Sequence, residues 1–115
     1  MKEPLTVWKT ALYQKRPYLC LNDAVNSIIY FIKHDLFDGH IYNVLTANLT
    51  VEQVINEIKN NIDDIKIKFV NQKIMNQLSY EVENKKIIHR GFEFKGSINN
   101  GIRETIQMLK NSNSF

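Results

Sequence analysis

The sequence predicts a small α+β domain of about four helices with short strands, and three observations support this. Short β-prone runs alternate with longer amphipathic stripes at helical spacing, with no internal repeat or linker between them. A chain of 115 residues suits one domain with a single core. The four glycines, Gly39, Gly91, Gly96 and Gly101, stand alone, so the glycine-rich turn that opens a dinucleotide-binding sheet is missing.

Taken in order, Leu5 to Trp8 is a β-prone run after Pro4, and Tyr18 to Leu21 is a second, entered through the restricted Arg16-Pro17 step. Asn22 or Asp23 caps a helix whose stripe is Val25, Ile28, Ile29, Ile32 and Leu36, and Gly39 closes the turn behind it. Ile41 to Leu45 is apolar on both faces and suits a strand covered on two sides. Thr50 and Gln53 stand at capping-box spacing before a helix faced by Val51, Val54, Ile55, Ile58 and Ile62.

Ile65, Ile67 and Phe69 alternate with Lys66 and Lys68, as in a half-buried strand. Asn71 to Ser79 is a polar loop, followed by a brief strand at Tyr80 to Val82 and a short helix over Asn84 to Arg90 that ends at Gly91. Ser97 caps the last helix, lined by Ile98, Ile102, Ile106 and Leu109. One domain spans 1–110, and 111–115 form a flexible tail.

Composition narrows the class. The chain is 43% hydrophobic and 23% charged, close to globular averages and far from those of disordered chains. Its net charge of +3 comes from basic residues interleaved with acids, which argues against nucleic acid as a partner. A lone Cys20 forms no internal disulfide, and neither a signal peptide nor an apolar run long enough to cross a bilayer is present, so a cytoplasmic location is expected.

Catalytic patterns are missing as well. His34, His40 and His89 are scattered without metal-ligand spacing, and Cys20 lies in an apolar strand where an inert thiol is expected. Asp63-Asp64 reads as a solvated turn, and Gly101 as a point of close packing against another backbone. The candidate ligand-binding groups are Arg16, whose planar fork suits a phosphate oxygen pair, and Trp8 and Tyr80, which have faces to stack on a base. The plainer readings are a surface arginine and two core or half-core aromatics.

The run LTVWKTALYQKRPYLCLND, from Leu5 to Asp23, resembles a stretch of the nucleotide-sugar epimerases and dehydratases of the extended short-chain dehydrogenase/reductase family. In that family a strand and a polar turn lead to an arginine, an aromatic and an aspartate that opens a helix. HIYNVL, LTVEQVINEI, YEVENKKIIHRGF and SINNGIRETIQML resemble later motifs in the same order, so the likeness runs from about Pro4 to Lys110.

The resemblance implies the C-terminal substrate-binding domain of such an enzyme, without its Rossmann sheet. By this likeness Thr6, Val7 and Trp8 meet the base, Arg16 binds the diphosphate of a UDP- or dTDP-linked sugar, and Tyr80 helps to enclose the ligand. Relatives often place a second arginine in the loop matched by Asn71 to Ser79, whereas this chain has only Lys73, a point charge without the fork.

The resemblance also implies that NAD and the catalytic Tyr and Lys belong to an upstream Rossmann domain, to whose sheet Ile41 to Leu45 would add. No tyrosine here has a lysine four positions on. The chain is then expected to be catalytically incomplete by itself, with no cofactor of its own and a homodimer left open. The alternative is a stand-alone protein- or RNA-interaction module using the unpaired strand 41–45 or the mild positive charge.

Overall fold

Where propensity and pattern agree, the elements form as expected. The computed structural model describes residues 3–71 and 79–112. Strand β1 (Leu5–Trp8) is followed by a 3-10 turn at Lys9–Ala11, strand β2 (Lys15–Tyr18), helix α1 (Leu21–Lys33), strand β3 (Ala47–Thr50) and helix α2 (Val51–Asn61). Strand β4 (Ile67–Val70), helix α3 (Lys85–His89) and helix α4 (Ile98–Asn111) complete the order.

The strands form two separate pairs. β1 lies parallel to β4, with Leu5 opposite Ile67 and Trp8 opposite Val70. β2 runs antiparallel to β3, with Lys15 opposite Thr50 and Tyr18 opposite Ala47. α2 packs on β3 and α4, and the capping box holds its start: the Gln53 amide N donates to Thr50 Oγ1 at 3.2 Å, and the Thr50 amide N donates to Gln53 Oε1 at 2.8 Å. Ser97 Oγ accepts from the Asn100 amide at 3.2 Å and caps α4 as expected. Asp63 and Asp64 lie exposed in the turn after α2.

Several expectations are corrected. β2 ends at Tyr18 because α1 has begun by Leu21, which places Cys20 at the N-cap and leaves Asp23 inside the first turn. Cys20 is therefore half-buried outside any strand, and its thiol donates to the Ser97 carbonyl at 3.4 Å. Residues 41–45 join no ladder among the described residues. At 80–82 side chains replace the ladder: Asn48 donates through Nδ2 to the Val82 carbonyl at 2.9 Å and accepts the Val82 amide at 3.0 Å.

The largest correction concerns α1. Its expected core stripe faces outward, with Val25 47%, Ile28 62%, Ile29 42% and Ile32 63% exposed. The helix is held instead by Asp23 and Ser27, which are buried, and by the half-buried Tyr30 and Phe31. Asp23 accepts from Thr46 Oγ1 at 2.7 Å and from the Lys95 and Gly96 amides at 3.0 and 3.1 Å. A buried carboxyl group is tolerated because donors surround it.

Among the described residues the buried apolar side chains are few, namely Val7, Leu45, Ile55, Ile87 and Phe92. The radius of gyration is 16.8 Å, against about 13 Å for a compact domain of this length, and the molecule is a plate 46 × 36 × 18 Å. α4 continues through Asn111, past the expected start of the tail, and residues 113–115 lie outside the described residues.

Candidate functional site

The sequence separates Arg16 from Tyr80 by most of the chain, and the fold joins them. Ser79 Oγ accepts from the Lys15 amide at 3.0 Å, and the Tyr80 amide donates to the Lys15 carbonyl at 3.2 Å. Lys15 Nζ closes the contact on Glu81 at 2.7 Å. This seam sets the Arg16 guanidinium over the Tyr80 ring, 4.9 Å from its centroid, a cation–π arrangement that orients the fork. Arg16 also donates through Nη1 to the Lys15 carbonyl at 2.9 Å and through Nη2 to Gln14 Oε1 at 3.2 Å. Tyr80 is 49% exposed, so part of its ring remains available for stacking.

The β1 candidates divide by pleat. Thr6 and Trp8 are exposed while Val7 is buried, so the Val7 side chain belongs to the core. No ring contact joins Trp8 to Tyr80 among the described residues. Lys73 lies outside the described residues.

A cleft of about 710 Å³ opens elsewhere, between α4, the end of α2 and the β2–α1 junction. Its walls are mostly apolar and include Cys20, Ile58, Ile62, Ile102 and Leu109, and none of the described candidate binding residues lines it. Gly101 belongs here: a Cβ at that position would stand 3.3 Å from Cys20 Sγ, so the close neighbour is a thiol where a backbone was expected. Gly96 has no space at all, since a Cβ would meet Asp23 Oδ2 at 2.6 Å and Cys20 Cβ at 2.8 Å.

A second polar group sits beyond the end of α1. Asp38 Oδ2 accepts from the Tyr42 hydroxyl at 2.6 Å and from Arg90 Nη2 at 3.1 Å, while Oδ1 accepts the His40 amide at 2.9 Å. The Tyr42 hydroxyl, then the His40 amide, hold the Asp38 carboxyl below its usual range, and the bond to Asp38 pushes the Tyr42 phenol up. Lys86 Nζ donates to the Ile41 carbonyl at 3.0 Å, and Tyr42 packs on Phe31 with centroids 5.1 Å apart. The cluster ties 38–42 to α1 and α3, and short-range sequence reading offered no sign of it.

The glycines do not fit a dinucleotide cradle. Gly39 and Gly91 adopt φ of 75° and 97° at turns behind helices, and Gly96 is packed against Asp23. No helix among the described residues is long and apolar enough to cross a membrane.

No protein-family model matches the sequence, and no curated protein matches it either. Solved structures do match in fold. A GDP-6-OMe-4-keto-L-xylo-heptose reductase from C. jejuni superposes on 96% of this chain with a TM-score of 0.79 at 18% identity. A dTDP-glucose 4,6-dehydratase from Bacillus anthracis in complex with NAD covers 98% with a TM-score of 0.74 at 18% identity. RMD from Pseudomonas aeruginosa complexed with NADPH covers 90% with a TM-score of 0.72 at 15% identity. The chain spans only 35%, 36% and 34% of those three chains, so its fold corresponds to about a third of each.

Proposed function

We propose that this chain is the nucleotide-sugar-binding lobe of an NAD-dependent epimerase, dehydratase or reductase of the extended short-chain dehydrogenase/reductase family. The observation that carries this reading is the Arg16–Tyr80 pair, assembled on a fold shared with enzymes named for GDP- and dTDP-linked sugars. Arg16 supplies a bidentate contact for the diphosphate, Tyr80 a face beside it, and Thr6 and Trp8 an exposed edge for the base. Lys73 is the second phosphate contact in this reading, as a point charge.

The chain's part is binding and orientation. NAD and the catalytic Tyr and Lys belong, on this reading, to a separate Rossmann domain, because the glycines here form no cradle for a dinucleotide. Titration with UDP-glucose, dTDP-glucose and GDP-mannose tests the proposal, the expected response being amide shifts at Trp8, Arg16 and Tyr80. Arg16→Ala should weaken the tightest of them about 10- to 100-fold, as expected for losing hydrogen bonds to a charged group. Unchanged affinity in that variant would remove Arg16 from the site.

A free-standing interaction module is the second reading, favoured by Ile41 at 84% exposure within the unladdered segment. Its RNA version requires affinity that falls steeply as salt rises.

A further inference from the structure

The turn before β2 fixes a second polar side chain beside Arg16. Behind the 3-10 turn at Lys9–Ala11 the Gln14 amide donates to the Ala11 carbonyl at 3.1 Å, and the Leu12 carbonyl accepts the Glu52 amide at 2.9 Å, which pins this stretch to the start of α2. The half-buried Gln14 side chain accepts from Arg16 Nη2 through Oε1 at 3.2 Å. A guanidinium has donors only, so the carboxamide oxygen must be the atom that faces it. That choice leaves the two hydrogens of Gln14 Nε2 beside the fork, where they meet no acceptor among the described residues. A half-buried donor next to a fixed cation is placed for the oxygen of an anion.

We infer that Gln14 completes the phosphate site of the proposed lobe: its Nε2 donates to one phosphate while the Arg16 fork holds the next, so the pair selects a diphosphate over a single phosphate. The inference rests on the function proposed above and deepens it by naming a group that reads the length of the anion. A planar fork by itself matches two oxygens of one phosphate and makes no such selection. The guanidinium plane is set from other sides by the Tyr80 ring at 4.9 Å and the Lys15 carbonyl at 2.9 Å, so a donor one hydrogen bond away from it has a defined place alongside. Lys15 does not fill that place, because its Nζ lies 2.7 Å from Glu81. Gln14 is also neutral, so it adds direction to the site without drawing in every anion, in a chain whose residues 71–79 contain no arginine.

The test follows the side-chain NH2 signals of Gln14 by NMR while inorganic pyrophosphate and, separately, inorganic phosphate are added to the chain. Pyrophosphate should shift those signals together with the Tyr80 amide, and unmoved Gln14 signals would overturn the inference. Gln14→Met, which keeps the length of the side chain and removes its hydrogen bonds, should weaken pyrophosphate about 10- to 100-fold and phosphate by no more than about twofold. Its melting temperature should stay within a few degrees of the parent's. Equal weakening of both anions would show that Gln14 acts only by aiming Arg16, and would also overturn the inference. The UDP-, dTDP- and GDP-sugar titration keeps the two readings apart. Nucleotide sugars that bind Gln14→Met as tightly as the parent would leave the lobe standing and sink the role of Gln14. Pyrophosphate that behaves as expected on a chain taking no nucleotide sugar would support the Gln14–Arg16 site and remove the lobe reading.

Discussion

Helices α1 and α2 carry equally clear apolar stripes in the sequence, yet the fold uses them in opposite ways. α2 turns Ile55 to 5% exposure and packs against β3 and α4, while α1 leaves Ile28 at 62% and Ile32 at 63%. The difference teaches that a hydrophobic stripe specifies that a helix has a partner without specifying which. In α1 a buried carboxyl group, bonded to Thr46 and to two backbone amides, outcompetes the stripe for the interior.

The largest expected effect that could break this comparison is in α2. Ile55→Ala should cost about 2–5 kcal/mol through lost burial and the cavity left behind, read as a lower urea midpoint at unchanged slope. Asp23→Ala should cost about 3 kcal/mol, since it strands a half-buried hydroxyl and two amides at once. A loss as small as that of a surface residue would mean that α1 is held by something other than Asp23. Thr50→Ala, which opens the capping box of α2, should cost about 1 kcal/mol.

At the small end, Ile28→Ser in the isolated chain should change stability by no more than about 0.5 kcal/mol, as surface positions do. A cost near that of Ile55→Ala would show the α1 face to be covered already. The cluster beside α1 sharpens the comparison through pH. Asp38 titrates lower in the folded chain, so its contribution is present above the ordinary carboxylate value and is lost as pH falls through the folded one. Tyr42 titrates higher, so its contribution is present below the ordinary phenol value and is lost as pH rises through the folded one. Asp38→Ala should return the Tyr42 midpoint to the ordinary range, which a spectrophotometric titration reads directly.

The elements legible in the sequence are those governed by near neighbours. Thr50 and Gln53 are three residues apart and their bonds close locally; the same holds for Ser97 with Asn100, and for Gly91, whose φ of 97° ends the turn after α3. The alternation around Ile67 was enough to place a strand, but not its faces, since Phe69, expected on the buried side, is 46% exposed. For the candidate site, Arg16 and Tyr80 were legible as residue types, and the resemblance grouped them, but their stacking depends on a seam between β2 and 79–81 that no local pattern shows.

What the sequence by itself determined is the fold class and the four helices, an α+β domain with capped helices and short strands, because caps, turns and periodicity are set by interactions within a few residues. Only the tertiary structure decided which face each element buries, that Asn48 takes the place of a strand for Val82, and that Gly96 must lack a side chain beside Asp23. Those outcomes follow from contacts between residues far apart in the chain, where a few buried hydrogen bonds outweigh the hydrophobic preference of one exposed helix face.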